Sequence, residues 1–92
     1  MKTFRLAHSD QVQASIREYN ADGFDINYIN TELGFDVYTE QTRVAIVAFW
    51  GTQPAIRIEN PLLKASTLLI GADAVELAGE LIALFVKEHH AK

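Results

Sequence analysis

Ninety-two residues, 49% of them apolar and 22% charged, are enough for one globular domain, which at this size buries only about 60 to 65% of the surface its unfolded chain exposes. Eight Lys and Arg against twelve Asp and Glu leave a net charge of -4, which removes the basic excess that nucleic-acid binding draws on. The lack of cysteine excludes a disulfide framework, a thiolate metal site and a cysteine nucleophile.

The opening KTFRLA alternates Phe4 and Leu6 with Arg5 and predicts a short strand. SDQVQASIREYNADG predicts a helix with Ser9 as its N-cap, Asp10 in the first turn, and Val12, Ile16 and Tyr19 on one stripe. Gly23 stops it, after the turn-prone Asn20 and Asp22. FDINYINTELG has two periods: Phe24, Ile26 and Tyr28 alternate as in a strand, whereas Ile26, Ile29 and Leu33 fit a helix capped by Asp25 and ended by Gly34. The helical reading is adopted, which sets two helices across a short turn. A second helix bearing Asp25 and Glu32 but no Lys or Arg is a poor reader of the DNA major groove.

FDVYTE, RVAIVAFW and PAIRIEN, rich in β-branched and aromatic residues and separated by EQT and GTQ, predict a three-stranded antiparallel meander. After Asn60-Pro61, the stretch LLKASTLLIG fits either a helix with Pro61 at its first position or a connection into a fourth strand at 67–70; the strand is adopted. GADAVELAGELIALFVKEHHAK closes the chain with a helix from residue 74 to 89 or 90, with Asp73 as N-cap, Glu76 three residues on, and Lys87, His89 and His90 near its C-terminal end.

Register arithmetic then assigns faces. A GTQP loop that sets Trp50 opposite Ala55 pairs Phe49 with Ile56, Ala48 with Arg57, Val47 with Ile58 and Ile46 with Glu59. Ala45, Val47, Phe49, Ile56 and Ile58 share a core face, and a three-residue EQT loop adds Phe35 and Val37 to it. The second face carries Tyr38, Val44, Ile46, Ala48 and Trp50, bordered by Asp36, Arg57 and Glu59. An aromatic and aliphatic centre inside a charged rim is the composition of an association surface, unless the N-terminal helices cover it.

In the last helix the apolar residues span an arc of roughly 200°, too wide for a single sheet contact. Gly79 and Ala83, four apart at the edge of that arc, permit close approach of a second helix, either the first helix or one from a partner subunit.

Chemical motifs are sparse. His8, Ser9 and Asp10 have the residue types of a catalytic triad, but sequence neighbours do not converge as one. Glu76 and Glu80 read as solvated charge, and the adjacent His89 and His90 point in different directions instead of forming an i, i+4 metal pair. No catalytic residue, metal site or cofactor is expected.

The sequence thus predicts a single α+β domain over 1–92: an antiparallel sheet of three or four strands backed by a long C-terminal helix, with one or two short N-terminal helices. Its expected function is that of a non-enzymatic protein-binding module, a small acidic inhibitor or accessory protein acting as a homodimer. The expected surfaces are Asp36, Tyr38, Ile46, Trp50, Arg57 and Glu59 on the sheet and Gly79 and Ala83 on the helix. The alternative is a small-molecule binder or minor enzyme with a pocket between sheet and N-terminal helices, using Arg57 for polarity. Neither nucleic acid nor membrane is an expected partner. With no signal peptide or membrane span in the sequence, a cytoplasmic location is expected.

Overall fold

A computed structural model describes residues 4–50 and 55–91. The chain runs α1 (Phe4–Ala21), β1 (Asn27–Asn30), β2 (Gly34–Thr39), β3 (Thr42–Phe49), β4 (Ala55–Asn60), β5 (Ala65–Ile70) and α2 (Ala74–His90). The five strands form one antiparallel meander in the order β1-β2-β3-β4-β5. Both helices pack on the same face of the sheet, α1 over β2 and β3 and α2 across β2 to β5, so the domain has two layers.

The α+β class and the meander are as the sequence predicts, with five strands in place of three or four and one long N-terminal helix in place of short ones. Three local corrections produce this difference. Residues from Phe4 onward are helical, so the strand predicted in KTFRLA does not form over 4–7, its first two residues lying outside the described ones, and Ser9 lies inside α1. Buried Ser9 receives a 3.3 Å hydrogen bond from Gln13 Nε2 one turn later instead of capping the helix. The segment Asn27–Asn30 is a strand paired with Asn30 opposite Phe35 and Tyr28 opposite Val37, so the two-helix unit does not form.

α1 ends where Asn20 turns its side chain to the following segment. Asn20 Nδ2 donates to the carbonyl of Ile26 at 2.8 Å, and Asn20 Oδ1 accepts from Ile26 N at 2.9 Å. The amide thereby completes both main-chain groups of Ile26, as a neighbouring strand would. Gly23, at φ +106, supplies the left-handed residue of the turn.

The β2–β3 connection has only two residues, Glu40 and Gln41, both in the left-handed region at φ 50 and 67, as in a type I′ hairpin turn. A two-residue loop alone would turn Phe35 and Val37 away from the core. A bulge restores them: Val37 lies opposite Ala45 but Tyr38 opposite Arg43, leaving Val44 as the extra residue. Val44 is buried, and so belongs to the core and not to the second face.

The β3–β4 pairs are those that the register arithmetic gives, Ile46 with Glu59 through Phe49 with Ile56. The GTQP loop itself lies outside the described residues. Trp50 N still donates to the Ala55 carbonyl at 3.1 Å, closing the described part of the hairpin. In the β4–β5 turn, buried Asn60 accepts from the main-chain N–H of Leu62 at 3.0 Å and of Leu63 at 3.2 Å.

The core lies between the layers. Phe35, Val37, Val47, Phe49, Ile56 and Ile58 from the sheet meet Val12 and Ile16 of α1 and Ala74, Ala78, Ile82 and Val86 of α2. Phe35 packs on Tyr28 and Phe49 with ring centroids 5.7 and 5.9 Å apart. Small residues let α2 approach its neighbours: Gly79 faces Ser15 of α1, where an added Cβ would lie 3.1 Å from that residue's Cβ. Asp73 holds the N-cap position of α2 without a side-chain hydrogen bond, its carbonyl accepting from Leu77 N at 2.9 Å. Among the described residues no helix is long and apolar enough to cross a membrane.

Candidate interaction surface

Antiparallel register places the outward residues of the sheet in rows that run across the strands. One row joins Ile29, Asp36, Ile46, Glu59 and Ser66; the next joins Gly34, Ala48, Arg57 and Leu68. Beyond these, Trp50 meets Ala55, which lies opposite Ile70, while Asn27, Tyr38 and Arg43 form the row at the other end. The six sheet residues singled out in the sequence, Asp36, Tyr38, Ile46, Trp50, Arg57 and Glu59, therefore stand on one face. No described helix covers that face, because α1 and α2 both lie on the other side.

The face is apolar at one corner and mixed elsewhere. Trp50, Leu68 and Ile70 are 45%, 56% and 71% exposed. With Ala55, Arg57 and Ser66 close by, Trp50 and Leu68 line an open groove of about 530 Å³. Gly34 and Ala48 contribute little side chain to the middle row, which lies between the Trp50 corner and Ile46. Ile29 is exposed on the β1 edge.

The polar groups are partly engaged within the chain. Asp36 pairs with Arg43 at 3.6 Å, diagonally across β2 and β3, and not with Arg57. Arg57 Nε donates to Ser66 Oγ at 2.9 Å, which holds the guanidinium towards β5 beside the groove. An exposed pair like Asp36–Arg43 is worth only about 0.2 to 1 kcal/mol, so a partner can rearrange it at small cost.

The helical pair singled out in the sequence lies inside the fold: Gly79 and Ala83 are buried, with Gly79 against Ser15 and near Tyr19 of α1. Arg57 stands on the face of the sheet opposite α1, so it cannot line a cavity between α1 and the sheet. Among the described residues no group of three or more His, Asp or Glu is arranged to hold a metal ion. His89 and His90 both turn to Glu40 in the β2–β3 turn, at 3.8 and 2.8 Å. The strand predicted at 67–70 is present and begins two residues earlier, at Ala65; its Ser66, Leu68 and Ile70, which the sequence analysis did not assign to a face, extend the open face by a full strand.

The chain matches no protein-family model, no curated protein and no solved structure with which it was compared.

Proposed function

We propose that the protein is a non-enzymatic interaction module that binds another protein through the open face of its sheet, with Trp50 as the anchor. The observation that carries this reading is the one-sided packing of the helices, which leaves Trp50, Leu68 and Ile70 exposed at one corner of a five-stranded sheet. A large aromatic beside a groove, surrounded by side chains that can exclude water, is the usual arrangement of an energetic hot spot. Completing the burial of these three half-exposed side chains is worth about 1 kcal/mol or somewhat more apiece. That sum does not exceed an association cost of about 4 to 15 kcal/mol. Binding therefore also draws on the polar groups at Asp36, Arg57 and Glu59, which gives the surface selectivity as well as adhesion.

Site-specific crosslinking tests the reading. A photoreactive residue in place of Ala48 is expected to trap a protein partner in the native host, and Trp50→Glu is expected to reduce that capture about tenfold. Glu80→Lys, at an exposed position of α2 on the other side of the sheet, should leave capture unchanged. Equal capture by the wild type and the Trp50→Glu protein, with both shown to be folded, would remove this face as the binding surface.

A further inference from the structure

We propose that the chain also self-associates, by antiparallel pairing of β5 with the β5 of a second copy about a two-fold axis normal to the sheet. This interface is the flank of the domain; it shares Ser66, Leu68 and Ile70 of β5 with the open face, and its occupant is argued independently of the reading above.

Three features of the flank converge. First, β5 ends the sheet, and its six residues, Ala-Ser-Thr-Leu-Leu-Ile, contain no proline, charge or bulge of the kind that blunts an edge. The opposite edge strand, β1, has only four residues and is bounded by Asn27 and Asn30. Second, Leu77 and Leu84 of α2 are 45% and 47% exposed. At about 100° per residue they lie about 100 to 160° around α2 from Gly79 and Ala83, and Gly79 faces Ser15 of α1. Third, Leu62 and Leu63, in the turn leading into β5, are also exposed. The flank thus sets a bare strand edge beneath a leucine-lined helix side.

The chemistry of this surface specifies its occupant. A strand edge offers alternating main-chain donors and acceptors, which another strand satisfies, and an antiparallel pair is self-complementary about a two-fold axis. Pleating requires facing residues to lie on the same side of the joined sheet. The register centred on Leu68 meets this condition, setting Leu68 against its own mate, Ser66 against Ile70 and Thr67 against Leu69. The same register brings Lys64, at the start of β5, to the far end of the second copy's strand, where Asp73 precedes α2. The charges are complementary at both ends of the interface because the axis repeats the pair. α2 lies across β2 to β5, so the two α2 helices stand on the same side of the joined sheet with their β5 flanks towards each other. Leu77 and Leu84 of each copy therefore line the two walls above the joined strands. The product is a continuous sheet with both open faces on the same side.

Sedimentation equilibrium over about 1 to 300 µM, the range appropriate to a compact interface, tests the proposal. A reversible monomer–dimer equilibrium is expected, and the double substitution Leu77→Arg/Leu84→Arg should weaken it at least about tenfold. Both side chains are half-exposed, and unchanged circular dichroism will show that the variant folds. Trp50→Glu should leave dimerisation intact. The natural chain has no cysteine, so Leu68→Cys provides a lone thiol that should crosslink two copies on mild oxidation, whereas Glu80→Cys should not. A monomer throughout the range, or no crosslink through residue 68, overturns the proposal. So does a dimer that survives the leucine substitutions but is lost on Trp50→Glu; that result would move self-association to the open face.

Discussion

His90, in the last turn of α2, ties that helix to the end of β2 and the turn after it: its Nδ1 lies 2.8 Å from Glu40 Oε1 and its Nε2 lies 2.8 Å from Thr39 Oγ1. With hydrogen on Nδ1, the ring donates to the carboxylate and accepts from the hydroxyl. The two contacts differ in environment, since Thr39 is fully buried and the Glu40 side chain is 59% exposed. His90→Ala strips a buried hydroxyl of its partner and should cost about 1 to 2 kcal/mol. Glu40→Ala loses an exposed, screened contact and should cost less than about 1 kcal/mol. Urea denaturation of the two variants measures the difference, which vanishes if the carboxylate is the main tie.

The last residue of β3 and its neighbour should respond very differently to truncation. Phe49 is buried against Phe35, whereas Trp50 points to the open face. Phe49→Ala is expected to lose about 3 to 5 kcal/mol of stability. Trp50→Ala, with nothing described above its ring, should lose about 1 kcal/mol or less. Equal losses would mean that Trp50 is packed within the fold.

The β2–β3 turn stores strain that a glycine would relieve. Gln41 sits at φ 67, a region costing a side-chain-bearing residue about 1 kcal/mol, and position 41 is where an Asn-Gly type of turn carries its glycine. Gln41→Gly should therefore raise the stability by about 0.5 to 1 kcal/mol, seen as a higher urea midpoint with unchanged slope.

Gly34 is intolerant for a different reason. A Cβ there would fall 2.1 Å from the Val47 carbonyl oxygen and 3.0 Å from a ring carbon of Phe49. The nearest atom is main chain and cannot swing aside, so Gly34→Ala should force β2 away from β3 and cost about 3 kcal/mol or more. Thermal unfolding monitored by circular dichroism would show it as a large drop in midpoint.

The parts of this fold that were legible in the sequence are those where local pattern and tertiary environment agree. The β3–β4 register followed from apolar alternation, and α2 from a 3.6-residue period sustained over four turns. The outward placement of Trp50, Arg57 and Glu59 came with that register. Elsewhere the environment overrode the local signal. Ser9 prefers helix caps, yet the helix continues through it because Gln13 and the core beneath Val12 support that turn. Residues 24–33 carry two periods at once, and only pairing with β2 selects the strand. The β2–β3 loop was read one residue too long, and the face assignment survived because the bulge at Val44 compensates for the shorter turn. That compensation depends on a ladder irregularity for which the alternation of apolar residues gives no sign.

The strict neighbour order of the strands bears on how the chain reaches this state. Every strand pair closes a short stretch of chain, so the sheet can zip up hairpin by hairpin with little loop entropy lost at each step. The contact between α1 and α2 spans the whole sequence and gains nothing until both hairpins around β3 exist to receive the helices. Docking of the two ends over a preformed meander is then the natural late event, which makes the outer strands early structure and the helix pair the last seal on the core.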